Sequence, residues 1–266
     1  MSNLILTEKV KKIPQCQWNQ QTKYLVLVGY YDYDVSWVQN LKLPYIIYFK
    51  DMPDMEPYTA KNKAKGETNL LKFIVDNYDR LPENIINVHQ YEYKWYHKGS
   101  LVSILNRVNK LENDFKKKGF LSINNRQMAI LTSLSTTGDT MRLSGWWKAT
   151  MEPYFGDYES HGDFTNGKSG CSQFIVSREN ILRLPCEFYQ NMYDWLCNNV
   201  VDELPSTFNP KNFRRVKTKG FCHLLSNYHT SRYLEWTWEL IFTTDKIVSK
   251  VESNSTNNNS NDNNTN

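Results

Sequence analysis

The chain is 266 residues long, 40% hydrophobic and 23% charged, with 12 Phe, 8 Trp and 17 Tyr, which excludes a charge-swollen disordered polymer and suits one larger α/β domain. Its 32 basic residues against 28 acidic ones leave a formal charge of +4, a mixed surface rather than the basic stripe of a nucleic-acid binder. No apolar run reaches the ~20 residues of a membrane-spanning helix, and Met1–Lys12 lacks a signal-peptide core.

Cys16, Cys171, Cys186, Cys197 and Cys222 are odd in number and form no C-x-x-C pair, so they read as reduced thiols and the expected location is the cytoplasm. The stretch Ser253–Asn266 contains only Asn, Ser, Thr and Asp. With nothing apolar to offset the entropy of ordering, it reads as a disordered tail behind a single domain spanning residues 1–252.

In chain order, Tyr24–Gly29 and Tyr45–Phe49 are β-branched and aromatic runs that read as buried strands. Val35, Val38 and Leu41 between them recur at near-helical spacing. Leu70, Leu71, Ile74, Val75 and Tyr78 make one apolar helix face that Pro82 stops. Ile85–His89 reads as a strand, and a helix is expected over Ser100–Glu112 with Ser100 as N-cap. Phe120–Ile123, Ala129–Leu134 and Phe174–Val176 read as strands, Asp139–Phe155 as partly helical, and Gly156–Gly170 as a long loop. Ser177 is placed to cap a brief helix, and Glu187–Val200 and Ser231–Phe242 are helices. The alternation predicts an α/β fold: a mainly parallel, mixed sheet flanked by helices.

Asp32-Tyr33-Asp34 follows the first strand, at the end where open α/β sheets bind ligands. Two carboxylates at this spacing suit Mg²⁺ or Mn²⁺, or one of them caps the following helix. His89 closes a strand, and Glu92, Trp95 and His97 follow it, a set able to move protons or to fold onto the domain edge. Glu235 and Glu239 share a face of the last helix. Arg214 and Arg215 lie in the basic segment Lys211–Lys219, which reads as a phosphate clamp or as a solvated loop. P-loop, serine-hydrolase and zincin motifs are missing from the sequence.

From Tyr24 to about Phe242 these blocks resemble domain of unknown function 3431, an uncharacterised family of fungal and giant-virus proteins. Tyr31–Trp37 is similar to the family's early acidic-aromatic block, although Tyr33 stands where the family usually has an acid. Glu67–Pro82 resembles its Tyr-Asp-x-Leu-Pro block, His89 its strand-end His, and Trp95 and His97 its Trp-His pair. Cys171–Arg178 is similar to a Cys-x-Gln-Phe-x-Val-Ser-Arg block, and Leu234-Glu235 with Trp238, Ile241 and Phe242 to the closing block. The Asn-rich tail suits an AT-rich genome and points to the viral branch, hence to host cytoplasm.

A weaker likeness, at the level of fold, is to type A nucleotide-sugar glycosyltransferases. It implies a nucleotide-sugar donor, a glycan acceptor and Mn²⁺ or Mg²⁺. Under it Glu235 is the base and His89 a second catalytic group. Asp32, Asp34, Glu67, Trp95, His97, Gln173, Arg178, Arg214 and Arg215 contact nucleotide or substrate, and Asp34 and Glu92 hold the metal. A non-catalytic carbohydrate-binding or virion-associated protein is the alternative, and a metal-assisted hydrolase built on His89–His97 is a third. No nucleic acid and no membrane span is expected in any of them.

Overall fold

The computed structural model describes residues 3–63, 67–94, 97–124, 146–157, 172–201 and 225–243. The expected strand Ala129–Leu134, residues 139–145 of the partly helical Asp139–Phe155 segment, residues 158–170 of the Gly156–Gly170 loop, the basic segment Asp202–Phe221 and the tail lie outside them, while residues 146–155 are helical as expected.

Leu25–Tyr30 (β1), Tyr45–Lys50 (β2), Thr59–Ala60 (β3) and Asn84–Val88 (β4) pair in parallel. Phe120–Ser122 (β5) and Phe174–Ser177 (β6) complete a six-stranded sheet of order β3-β2-β1-β4-β6-β5, in which β6 runs antiparallel to both neighbours. The sheet is mixed and mainly parallel, as the alternation of elements predicts. After β3 the chain crosses back over β2 and β1 to reach β4, so strand order reverses between β1 and β4. In open α/β sheets that reversal leaves a crevice beyond the carboxyl ends of the strands.

The helices are Asn3–Lys11 (α1), Glu67–Asp76 (α2), Leu101–Leu105 (α3), Glu112–Lys116 (α4), Glu152–Phe155 (α5), Arg178–Leu182 (α6), Cys186–Asn199 (α7) and Asn227–Thr243 (α8). Strand side chains alternate between two covered faces. On the first, Leu25, Leu27, Ile46, Tyr48, Ile85, Phe174 and Val176 pack beneath α2, α7 and α8. On the second, Val26, Val28, Ile47, Phe49, Ile86 and Ile175 meet α1, α3 and α4. The first core is rich in aromatics: Trp238 stacks on Phe242 at 5.4 Å and 6°, and both lean on Phe174.

Local chemistry explains the element ends. Ser100 and Ser177 cap α3 and α6, accepting from Ser103 N and Asn180 N as their positions predict. The helix expected over Ser100–Glu112 is instead α3, a 3-10 turn at Val108–Leu111 and α4. Asn106 ends α3 and commits its side chain elsewhere, accepting from Lys42 N at 2.7 Å and donating to Asn40 O at 3.1 Å. The turn after β1 is a 3-10 helix, Ser36–Asn40, that buries Trp37 and Val38 on the second face.

Candidate functional site

On the first face, the apolar alternation stops one residue pair before the carboxyl ends of the strands. Leu25-x-Leu27 gives way to Gly29, Ile46-x-Tyr48 to Lys50, and Ile85 to Asn87. Above this polar layer sit the first residues of α2, Glu67, Thr68 and Asn69, all buried. Because β6 is antiparallel, its leading residues Ser172 and Gln173 reach the same edge, also buried. Helix α8 closes the group with Trp238 and the half-buried Glu235.

Glu67 is the hub. Its Oε1 accepts from Ser172 Oγ, and its Oε2 accepts from the Trp238 indole N–H at 2.6 Å. Glu235 Oε1 lies 3.5 Å from the same Ser172 oxygen, so two carboxyls flank one hydroxyl. Burial pushes the Glu67 carboxyl up to about 8, and the charge of Glu235 adds to the rise against the pull of Ser172, Trp238 and Lys50. Lys50 donates to Thr68 Oγ1 and, at 3.2 Å, to Lys61 O. Burial drives its ammonium down to about 7, against the attraction of Glu67. Burial thus shifts an acid and a base toward neutrality at the carboxyl edge of one sheet, which makes this edge the candidate site.

The surrounding amides fix this geometry. Asn87 Nδ2 donates to Ser172 O at 2.7 Å, Gln173 Oε1 accepts from His89 N at 3.2 Å, and Gln173 Nε2 donates to Asn124 Oδ1 at 3.0 Å. Asn69 occupies the space in which a side chain at Gly29 would lie, and its buried Oδ1 has no partner among the described residues.

The residues singled out from the sequence divide three ways. Glu67, Gln173 and Glu235 converge at this edge, and His89 stands there at the end of β4. Asp32, Asp34, Glu92 and His97 belong to the two loops beyond β1 and β4. Asp34 accepts from Ser36 N at 2.8 Å, a turn just ahead of the 3-10 helix whose N-cap position is held by Val35 rather than by an aspartate, and pairs with Lys9 of α1 at 2.8 Å. Partial burial works to raise its carboxyl, but the bonds from Lys9 and Ser36 outweigh that and hold it below its ordinary value. Trp37 and Val38 draw this loop onto the second face, whereas Glu235 rides α8 on the first. Asp34 and Glu235 are thus borne by elements that cover opposite faces of the sheet.

Asp34 and Glu92, the pair expected to hold a metal, lie on separate loops. Glu92 is taken up by its own loop, accepting from Ser100 Oγ at 2.6 Å. Among the described residues no group of three His, Cys, Asp or Glu side chains is placed to hold a metal ion. His97 is buried with Nδ1 3.0 Å from Gly99 O, a contact within its own turn. Arg178 is a correction. It lies at the far end of β6, at the amino edge of the sheet, donating to Gln20 O and Leu81 O, both at 3.1 Å. Trp95, Arg214 and Arg215 fall outside the described residues.

Sequence reasoning passed over Lys50, Asn69, Asn87 and Ser172. The signal was present for two of them. A lysine closing the apolar run YIIYFK and an asparagine inside IINV each break a buried strand with a group that needs a partner. A cleft of about 510 Å³ among Trp18, Tyr58, Phe73, Asp76 and Arg80 shares none of these residues. None of the helices described is long and apolar enough to cross a membrane. No curated protein and no solved structure matches the chain. A family model described as a protein of unknown function, DUF3431, matches residues 25–258, and the chain belongs to that family.

Proposed function

We propose that the chain is a glycosyltransferase-like enzyme that uses a nucleotide-sugar donor, with its chemistry at the carboxyl edge of the sheet and with Glu235 as the base. The observation that carries this reading is the Glu67–Ser172–Glu235 triad beside the point where strand order reverses. Two carboxyls whose surroundings differ this much divide the work of acid and base between them. Glu67, fully buried and pushed up to about 8, is assigned the protonated role, and Glu235, half-buried on α8, the role of base.

Protonation of Glu67 on Oε1 reverses its bond with Ser172, so that the Glu67 O–H donates to Ser172 Oγ and the single Ser172 hydroxyl hydrogen, no longer given to Glu67, turns to Glu235. That bond orients the Glu235 carboxylate without adding a second negative charge beside it. An acceptor hydroxyl gives its proton to Glu235 as its oxygen bonds to the anomeric carbon, and the bond from that carbon to the diphosphate breaks with its electron pair leaving on the phosphate oxygen. Lys50 is the nearby cation on the edge, and Asp34 has no part in the step.

The test is release of nucleoside diphosphate from a panel of nucleotide sugars, with and without Mn²⁺, by the wild-type chain and by Glu235→Gln. The substitution is nearly isosteric at a half-buried position, so the melting temperature is expected to hold while turnover falls by roughly 10²–10⁴-fold. If none of the panel is turned over or raises the melting temperature, the transferase reading fails. If donors bind equally to both forms and neither turns over, the carbohydrate-binding alternative replaces it.

A further inference from the structure

Among the described residues, six large hydrophobic side chains are exposed, and three of them are tyrosines on the loops that follow β1 and β4, the strands between which strand order reverses. Tyr31 and Tyr33 follow β1, Tyr93 follows β4, and they are 54%, 50% and 65% exposed. Surface tyrosines scattered singly carry no message, but a cluster at a strand-order reversal does.

The two loops are clasped rather than loose. Gln90 Oε1 accepts from Tyr31 N at 3.1 Å and Asp32 N at 3.3 Å, and Gln90 Nε2 donates to Asp32 Oδ1 at 3.0 Å. The Gln90 carbonyl accepts from the buried Trp37 indole at 2.9 Å, which ties the clasp to the core. Tyr33 sets its ring edge-on against Tyr91 at 4.7 Å, and the Lys94 ammonium lies over the Tyr91 ring at 4.1 Å. The loop backbone and the Tyr33 ring are thus held in place before any ligand arrives, which lowers the ordering cost of binding.

Beside them stands the exposed carboxylate of Asp32. One oxygen is bonded to the neutral Gln90 amide, and the other makes no hydrogen bond or ion pair among the described residues. An anion with no cation paired to it disfavours a phosphate. It suits adjacent hydroxyls, which donate in pairs to a carboxylate, while the C–H face of a saturated ring covers an aromatic one. We propose that the Tyr31–Tyr33–Tyr93 rim with Asp32 is a carbohydrate-binding surface for an uncharged glycan. In the transferase reading, on which this assignment of role rests, that glycan is the acceptor.

The experiment is affinity electrophoresis of the full chain through mannan, xylan, β-glucan and soluble chitin oligosaccharides, with uridine and guanosine titrated separately by calorimetry. Wild type is expected to bind at least one glycan. The Tyr31→Ala/Tyr93→Ala double variant should bind it at least about tenfold more weakly, and Asp32→Asn should also weaken it, with melting temperatures unchanged because all three side chains are exposed. The proposal is overturned if no glycan retards the wild type, or if the double variant binds as tightly. It is equally overturned if the rim variants lose nucleoside binding and nothing else. Glycan binding in a chain that turns over no donor would refute the transferase reading and leave the rim assigned. Turnover indifferent to the rim variants would do the reverse.

Discussion

Replacing Glu67 by Gln isolates what a buried acid does to this fold. The folded carboxyl titrates near 8, against an ordinary value of 4.5. Between those values the folded state keeps a proton that the unfolded chain releases, so stability falls as pH rises. Lys50 has the opposite sense. Its folded value near 7 lies below 10.5, the unfolded chain binds the extra proton, and stability recovers as pH climbs beyond 7.

The loss due to Glu67 is therefore concentrated between pH 4.5 and 7, the interval set by those two groups. At about 1.4 kcal/mol per unit it is roughly 3 kcal/mol. Gln imitates the protonated acid. Its carbonyl accepts from Trp238, its amide donates to Ser172 Oγ, and the Ser172 hydroxyl turns to Glu235. Because Glu67 is neutral there, the variant removes no charge from beside Lys50, and its advantage at neutral pH is the same, roughly 3 kcal/mol. For a domain of this size that is about 6–12 °C. Melting curves from pH 5 to pH 8 are expected to start together and to separate in favour of Glu67→Gln. Parallel curves, or a variant that loses ground as pH rises, would mean that Glu67 is ionised throughout, and the proton assignment above would be wrong.

Gly29→Ala drives a methyl group into the Asn69 amide and is expected to cost about 1–3 kcal/mol in urea unfolding, with Asn69→Ala restoring most of the loss in the double variant. Failure of the rescue would put the cost elsewhere in β1. Trp238→Ala removes a fully buried indole stacked on Phe242 and strips Glu67 of a donor, so a loss of about 3–5 kcal/mol is expected from the cavity alone. A variant that melts within a few degrees of wild type would contradict that packing.

The strands and the first-face helices were legible because burial on both faces writes itself as continuous apolar runs and 3.6-residue stripes. Strand direction writes nothing. Gln173 and Arg178 are both expected to contact substrate, yet β6 runs antiparallel, so Gln173 at its start joins the site and Arg178 beyond its end lies at the opposite edge. Asp34 misled for a related reason. A spacing of two carboxylates after a strand is the same pattern whether the loop turns toward one face or the other, and here Trp37 and Val38 decide the turn. Glu67 came through resemblance alone. Nothing in the helical pattern of Glu67–Asp76 distinguishes a buried first-turn glutamate from an exposed one that favours the helix dipole.

The partners of the triad are far apart along the chain. Glu67 is 105 residues from Ser172 and 171 from Trp238. Such non-local contacts form late, after the loop entropy of bringing them together has been overcome. During synthesis Glu67 leaves the ribosome on the order of 10–30 s before Trp238 at ordinary elongation rates. Through that interval its carboxyl is in water and behaves as any glutamate. Trp238 and Glu235, both on α8, are among the groups that set the proton affinity of Glu67, so its tuned environment is complete only once α8 has docked.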